Sequence, residues 1–349
     1  MPRPVPGQLG DLLKQVSRSF YLTLHILPAP IREPIGLAYL IARAADTIAD
    51  TRLVSVERRR LALREMRAAI RDAAEGQSSG TPDFGSLAET HEALAGQGSQ
   101  AERLLLEEIP EVLEKLSSLP LGDRLRIREL LEIVTLGQET DLSRFGAANA
   151  DRISALDCDN DLEEYTYRVA GCVGEFWTRM CRAHLFPSVD LDEISLMING
   201  IRFGKGLQLV NILRDLPRDL REGRCYIPRA RLAVHGLEPM ALLDAREMER
   251  FRPLYASYLE QARELLAAGW AYTNALPRRQ VRVRLACAWP ILIAMKTLTR
   301  LRAGNVLDCR HRIKVPRGEV HRLMVLSVLC YPMPRAWDRL FDRAGADLR

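Results

Sequence analysis

Two pairs of aspartates are the residues of this chain whose type and spacing most directly suggest chemistry. Asp46 and Asp50 lie in LAYLIARAADTIADT, and Asp215 and Asp219 lie in KGLQLVNILRDLPRDL. Residues four apart share one face of a helix, so each pair places two carboxylates one turn apart. Two such carboxylates can bind a hard cation such as Mg²⁺, which keeps positions free for water and phosphate oxygens. We therefore predict that both pairs hold metal ions that bind a phosphorylated substrate.

The first pair shares its helix face with Tyr39 and Arg43, while nearly all remaining positions of the segment are apolar. Arg43 lies about one turn before Asp46, where its guanidinium could contact the same phosphate. For this motif taken alone the alternative is an ordinary solvated helix face, because most charged helix faces are exposed to water.

The second pair follows Gln208 and Asn211, two amides among leucine, valine and isoleucine residues. Amides with apolar neighbours need hydrogen-bond partners, although a solvated face is again an alternative. Pro217 lies between the two aspartates, and inside a helix a proline removes one hydrogen bond and clashes with the preceding turn. The sequence therefore predicts a kink or a helix end at Pro217, which makes Asp215 a stronger candidate ligand than Asp219.

Arginines accompany both pairs, with Arg43 near the first and Arg214 and Arg224 near the second. If the two helices face each other, metal ions and arginines between them could neutralise a leaving diphosphate. Such a site suits reactions that begin by breaking a carbon–oxygen bond and leaving a carbocation. An apolar helical barrel would then exclude water from the cation.

Helical periodicity dominates the segments that must position these residues. Apolar residues recur at three-and-four spacing in the segments 56–74, 101–117, 122–143, 188–215 and 246–275. We predict an all-α protein with a single domain, 1–349, that encloses one core. The segment 75–100, rich in glycine and serine, predicts a long mobile loop, and 330–349 predicts a polar C-terminal tail.

The composition of the 349 residues, 47% hydrophobic and 27% charged, indicates a folded globular protein and excludes a disordered or fibrous chain. The formal net charge of +5 suits anionic ligands or a membrane surface, and we expect no nucleic-acid partner.

Seven scattered cysteines without a CxxC pair predict reduced intracellular thiols and no zinc site. The most apolar window, Leu285–Met295, is too short to span a bilayer and predicts a buried helix. We therefore predict a cytoplasmic protein without a secretory leader or a transmembrane anchor.

Four segments of the chain, taken in order and with their approximate spacing, resemble the squalene/phytoene synthase family. They are SRSFYLTLHILP (17–28), AYLIARAADTIADT (38–51), YTYRVAGCVGEFW (165–177) and LQLVNILRDLPRDLREGRCYIP (207–228). The resemblance spans at least residues 17–228 and extends weakly to about 325. Within the family, VAGCVGEFW is more similar to squalene synthases than to phytoene synthases.

The resemblance implies an isoprenoid-synthase-like helical bundle around a central apolar cavity. It also implies Mg²⁺-dependent head-to-head condensation of two farnesyl diphosphates through presqualene diphosphate. In squalene synthases, NADPH then reduces this intermediate to squalene. Because squalene is insoluble in water, the resemblance further implies peripheral membrane contact by a cytoplasmic protein.

Carried over by position, the resemblance assigns Mg²⁺ binding to the four aspartates and a catalytic role to Tyr165. Tyr165 would remove or relay the proton lost on cyclopropane closure, or steer the cation, with the diphosphate as a rival base. The residues that would contact the substrate are Ser17, Phe20, Tyr39, Arg43, Gln208, Asn211, Arg214, Arg224 and Tyr226. The residues that would contact the cofactor are Arg18, Arg43, Arg214, Lys314 and Arg317.

The chain departs from the squalene synthase pattern in two places. Ala49 occupies a position where many squalene synthases carry an acidic residue. The segment RIKVPRGEV (312–320) resembles their nucleotide-contacting segment, but Pro316 replaces an expected arginine, and the chain has no GxGxxG fingerprint. One alternative is therefore a presqualene diphosphate, dehydrosqualene or phytoene-type synthase that needs no NADPH. Another is a non-catalytic assembly factor with this fold, which the two intact acidic motifs disfavour.

Small residues interrupt the third of these segments. In VAGCVG, Ala170, Gly171 and Gly174 leave a helix surface without side-chain bulk. Either another helix or a prenyl chain could approach the backbone closely there.

Overall fold

The computed structural model describes residues 7–17, 20–51, 54–77, 84, 100–310 and 312–346, and for residues 7–9, 17, 20 and 21 the backbone alone. Helices form nearly all of the regular structure in this part of the chain, which confirms the all-α prediction. Contacts divide the chain into two compact units, which are Met1–Gly146 with Phe176–Val189, and Ala147–Glu175 with Asp190–Arg349. The prediction of a single domain stays a prediction.

The first unit is built from helices that bury one apolar stripe each. They are α1 (Gly7–Ser17), α2 (Phe20–Ile26), α3 (Ala29–Asp50), α4 (Val56–Glu75), α5 (Gln100–Glu107), α6 (Ile109–Ser118) and α7 (Leu121–Phe145). The helices α3 and α4 both pack against α7. Their shared core contains Ile41, Met66 and Leu131, which are fully buried.

The second unit contains the longest helices of the chain. Its elements are β1 (Ser154–Ala155), α8 (Asp159–Thr166), a π-helical segment (Tyr167–Gly171), the first turn of α9 (Cys172–His184), α10 (Glu193–Arg221), β2 (Arg224–Cys225), α11 (Arg229–Val234), two 3₁₀ segments (Pro239–Leu243 and Ala245–Glu247), α12 (Met248–Ala275), α13 (Val281–Ala303), α14 (Arg317–Cys330) and α15 (Pro334–Ala344). The two short strands pair in parallel. Helix α10 packs along α12, and α12 packs against α13.

The apolar window Leu285–Met295 lies inside α13, where most of its side chains are buried, as predicted. Burial of this window explains its composition, because a helix that is apolar on nearly every face belongs in a core. Among the described residues, no helix is long and apolar enough to cross a bilayer.

Two predicted helix boundaries differ from the structure. The segment 101–117 forms two helices, α5 and α6, because Pro110 occupies the first turn of α6, where a proline has no intrahelical hydrogen bond to lose. The predicted helix 188–215 begins at Glu193, where the Asp192 side chain caps the helix by accepting from the Ser195 amide, and it continues to Arg221.

The sequence predicts a kink or a helix end at Pro217, and the helix end is wrong. Helix α10 continues through Pro217 to Arg221, and Leu216 and Leu220 on either side of the proline are buried. Burial of apolar side chains on both sides of a proline offsets the hydrogen bond that the proline removes. Asp219 therefore keeps its helical position one turn after Asp215.

The predicted polar tail, 330–349, contains α15. Trp337, Leu340 and Phe341 on this helix are buried, and its charged residues lie on the opposite face. The predicted mobile loop, 75–100, lies outside the described residues except at 75–77, 84 and 100.

Candidate functional site

The first acidic pair lies in the last turns of α3, in the first unit. Burial raises the pKa of Asp46 to about 6, and the neighbouring Asp50 carboxylate acts in the same direction. The Arg43 guanidinium and the Gln138 amide oppose this rise. Surrounding protein atoms thus remove water from around the Asp46 carboxyl group, but 47% of the side chain remains exposed, so a ligand can reach it. A carboxylate that is held near a second one and pushed towards protonation is well suited to receive a cation.

Gln138 of α7, which was not among the residues predicted from the sequence, contacts Asp46. Its side-chain amide donates a hydrogen bond to Asp46 Oδ1. Its Oε1 atom is buried and has no hydrogen-bond partner among the described residues. The signal in the sequence is an amide one helical turn from the apolar residues Val134 and Leu142, on a helix face that the structure buries. The Gln138 side chain is 9% exposed there.

Arg43 contacts carboxylates of two helices, and its predicted contact with a phosphate stays a prediction. Its Nη2 atom pairs with Glu102 of α5, and its Nη1 atom lies 3.9 Å from Asp46 Oδ2. Its Nε atom is buried and has no acceptor among the described residues. A buried donor without an acceptor costs free energy unless a ligand supplies one, so this atom favours an anion beside Asp46.

The second acidic pair lies near the end of α10, in the second unit. Arg214 forms a bidentate pair with Asp215, with Nε 2.9 Å from Oδ1 and Nη2 2.5 Å from Oδ2. Arg312, which precedes α14, places Nη2 3.7 Å from Asp215 Oδ1. Arg214 is a predicted site residue, whereas Arg312 is not, because only the fold brings residue 312 next to residue 215.

Asp219 lies one turn further along α10. Burial raises its pKa to about 7, and the carboxylates of Asp215 and Glu222 add to the rise. The guanidinium groups of Arg224 and Arg218 oppose it. A metal ion bound by Asp215 and Asp219 would remove the repulsion between their carboxylates, which is one cause of the raised pKa of Asp219. The predicted role of the two residues as a pair of metal ligands agrees with this electrostatic argument.

Tyr165 lies on α8, and the structure brings it next to two of the other predicted residues. Its ring stacks on that of Tyr226, with centroids 4.5 Å apart and an interplanar angle of 26°. Gln208 Nε2 on α10 lies 3.4 Å from the Tyr165 hydroxyl, and Asn211 Nδ2 is 3.5 Å from Gln208 Oε1. These contacts join α8 and α10 through polar groups one to two turns before Asp215.

The small residues after Tyr165 allow this close approach. A Cβ atom added to Gly174 would lie 1.9 Å from the Gly200 carbonyl oxygen, and one added to Gly204 would lie 2.1 Å from the Ala170 oxygen. The bare surface of VAGCVG therefore contacts another helix, α10, at these two points.

The remaining predicted residues have the following places. Tyr39 donates a hydrogen bond to the Val16 carbonyl at 3.4 Å. Arg224 lies on β2. Lys314 and Arg317 are exposed in the segment that contains Arg312. Ser17 and Phe20 are described by their backbones only, and Arg18 lies outside the described residues.

Each acidic pair supplies some, but not all, of the oxygen ligands that Mg²⁺ needs. Within the part of the chain that the structure describes, no three histidine, cysteine, aspartate or glutamate side chains converge as metal ligands. Each pair offers two carboxylates, and Mg²⁺ typically completes such a set with water and substrate phosphate oxygens.

Asp219→Asn is expected to stabilise the metal-free protein above neutral pH. The folded protein raises the pKa of Asp219 from 3.8 to about 7, so the folded state holds this proton more tightly and loses stability as the pH rises through that window. The variant should have a free energy of unfolding higher by roughly 1–2 kcal/mol near pH 8, and by nothing near pH 4. Urea denaturation with EDTA at both pH values measures the difference. Equal stability near pH 8 would contradict the prediction, and Asp190→Asn, at an exposed loop position, is the control.

Comparison with known proteins identifies relatives along most of the chain. A family model described as squalene/phytoene synthase matches residues 13–319. The chain is 29% identical over 263 residues to the bifunctional lycopene cyclase/phytoene synthase of Arthroderma gypseum, covering 73% of this chain and 40% of that protein. It is 25% identical over 325 residues to the squalene synthase of Nicotiana benthamiana, covering 91% of this chain and 69% of the relative. The chain spans less than half the length of the bifunctional proteins that it matches.

Solved structures share the fold. TcSQS in complex with the ligand E5700 matches with a TM-score of 0.76 and 22% identity over 97% of this chain and 89% of that one. A dehydrosqualene synthase in complex with a ligand matches with a TM-score of 0.64 and 21% identity over 93% and 95%. The predicted isoprenoid-synthase-like fold is thereby confirmed. Because the family model covers most of the chain, the chain belongs to the squalene/phytoene synthase family.

Proposed function

We propose that this member of the squalene/phytoene synthase family joins two farnesyl diphosphates head to head and reduces the resulting presqualene diphosphate with NADPH to squalene. The observation that carries the proposal is the chemistry at the two acidic pairs. Asp46 and Asp219 each have a raised pKa beside a second carboxylate, and each pair has an arginine next to it. This combination suits a cation and a diphosphate bound together.

In this proposal Asp46 with Asp50, and Asp215 with Asp219, hold Mg²⁺. The metal supplies positive charge that stabilises the diphosphate as the carbon–oxygen bond breaks. Arg43 contributes its unsatisfied Nε–H to a phosphate oxygen of the leaving group. Arg214 and Arg312 neutralise Asp215 until substrate and metal arrive.

Tyr165 is proposed to take or relay the proton that is lost when the cyclopropane ring closes. Gln208 donates towards its hydroxyl oxygen, which would stabilise the phenolate form of Tyr165 that can accept the proton and become the neutral phenol. Stacking on Tyr226 fixes the ring that carries the hydroxyl. The released diphosphate is the rival base, and Tyr165→Phe separates the two by its effect on ring closure.

The proposed use of NADPH is supported by the segment before α14. Lys314 lies in this segment and Arg317 is the first residue of α14. Both side chains are exposed, so both can bind a nucleotide phosphate. The contact of Arg312 with Asp215 places this segment beside the second acidic pair. A reductant bound there would therefore lie near the diphosphate-binding residues of the second unit.

A second candidate function is a synthase that needs no NADPH and forms presqualene diphosphate, dehydrosqualene or a phytoene-type product. The similarity to fungal bifunctional lycopene cyclase/phytoene synthases favours it. A non-catalytic assembly factor is disfavoured, because a scaffold gains nothing from two carboxylates with raised pKa values. We further propose a cytoplasmic protein that contacts membranes peripherally, since either hydrocarbon product partitions into lipid.

The test is incubation of the purified protein with farnesyl diphosphate and Mg²⁺, with and without NADPH, followed by mass spectrometry of the lipid and polar fractions. We expect squalene only in the tube with NADPH. Presqualene diphosphate or a dehydrogenated hydrocarbon in both tubes would keep the condensation and overturn the reduction. Absence of any diphosphate release in either tube would overturn the proposed function as a whole.

A further inference from the structure

The outer face of α14 and the turn after it form an exposed apolar row in the second unit. Val325, Val328, Leu329 and Met333 are 59%, 50%, 62% and 51% exposed. Residues 325, 328 and 329 fall on one side of the helix, and Met333 is exposed in the turn that follows it. Single exposed apolar residues are ordinary, but three on one side of a helix with a fourth in the following turn indicate a surface that is covered by a partner.

The rest of α14 shows that the row is held rigidly. Ser327 on the inner face accepts a hydrogen bond of 2.9 Å from the Trp289 indole of α13, and Cys330 is buried. Tyr331 in the following turn packs edge-on against Trp337, with ring centroids 5.1 Å apart. The inner face is thus fixed to the core, and the apolar row points away from it.

Positive charge surrounds this row. Arg278, before α13, donates to the Pro332 carbonyl at 2.9 Å, so the segment around it adjoins the turn that carries Met333. Arg279, Arg282, Arg322 and Arg335 are exposed, and none forms an ion pair with a carboxylate of the described residues. No aspartate or glutamate occurs in residues 276–284 or 320–337. Within these two segments the row has an arginine border without an acidic residue, and the carboxylates that flank the second segment along the chain are those of Glu319, which pairs with Arg300, and Asp338. Such a surface is complementary to an anionic lipid surface, where the row enters the interface and the arginines meet phosphates.

We propose that this surface, the row of Val325, Val328, Leu329 and Met333 with its arginine border, docks the protein on anionic membranes. The choice of a bilayer as the occupant rests on the proposed function, which yields a product that must leave into lipid. The arginine border distinguishes a bilayer from a second copy of the chain, since two copies that meet through this surface would bring their unpaired guanidinium groups together.

The test is co-sedimentation of the full chain with vesicles of equal parts phosphatidylcholine and phosphatidylglycerol, and with vesicles of phosphatidylcholine alone. We expect binding to the mixed vesicles that weakens with salt. Val325→Ser combined with Leu329→Ser should weaken this binding about tenfold or more. Arg279→Gln combined with Arg282→Gln should weaken binding to the mixed vesicles only. The matched control is Ile194→Ser combined with Val234→Ser, two exposed apolar residues on α10 and α11, which should bind as the original chain does.

Two further measurements separate loss of the membrane surface from loss of folding or activity: thermal unfolding of each variant, and diphosphate release in vesicle-free buffer. The unfolding temperature and the rate of diphosphate release should both be unchanged in the Val325→Ser and Leu329→Ser variant, because neither side chain is buried. Undiminished vesicle binding by that variant would overturn the membrane surface. If the two substitutions instead dissociate an oligomer in the absence of lipid, the row binds a second copy and the proposal is overturned. Vesicle binding without diphosphate release would leave the surface standing and overturn the proposed function alone.

Discussion

Replacing either Asp46 or Asp215 by asparagine is expected to lower the rate of diphosphate release from farnesyl diphosphate by at least about 10³-fold. Each substitution removes one of only two carboxylates that its pair offers to a cation. It also leaves arginine charge that the carboxylate formerly balanced, from Arg43 at the first pair and from Arg214 at the second. The charge that neutralises the leaving group is then incomplete when the carbon–oxygen bond breaks.

Release of diphosphate should be measured at saturating Mg²⁺ and again at a tenfold higher concentration, since a weakened site recovers partly with excess metal and a lost one does not. Asp215→Glu keeps the charge and should retain more activity than Asp215→Asn. Asp190→Asn, on an exposed loop, is the matched control and should leave turnover unchanged. Turnover retained by both asparagine variants would contradict the assignment of metal binding to these pairs.

The sequence predicts most helices of this protein because each one buries a regular apolar stripe. The predicted segments 56–74, 122–143 and 246–275 end within two residues of α4, α7 and α12. Local rules failed where burial outweighed them, as at Pro217, which lies within α10 between two buried leucines. A rule for proline in an isolated helix contains no information on what the flanking residues pack against.

The candidate site likewise contains some residues that the sequence predicts and others that it does not. The aspartates are visible in the sequence because their spacing matches a helical turn. The contacts of Gln138, Glu102 and Arg312 cannot be predicted from the sequence, since each residue meets its partner across a long stretch of chain. Only packing determines that α7 presents residue 138 to Asp46, or that the segment before α14 reaches Asp215. The most direct signal that sequence offered for such contacts was polarity at an otherwise apolar position.

The close approach of α10 to the segment after Tyr165 predicts a large effect of a very small change. Gly204→Ala should lower the free energy of unfolding by at least about 3 kcal/mol. The added Cβ atom would lie 2.1 Å from the Ala170 carbonyl oxygen and 3.1 Å from Gly171 Cα, and backbone cannot yield as a side chain can. The gain in helix propensity from glycine to alanine, about 1 kcal/mol, is too small to offset this clash.

Thermal denaturation checks the prediction, with an expected fall in Tm of roughly 10 °C for a unit of this size. Gly318→Ala is the matched control, because a Cβ atom there has no neighbour within 4 Å, and its Tm should be unchanged or slightly higher. Gly204→Ala should also disturb the contact between Gln208 and Tyr165, since both helices must separate to admit the methyl group. If Gly204→Ala unfolds at the same temperature as the control, α10 does not pack on Ala170 at this distance, and the geometry that positions Tyr165 must be different.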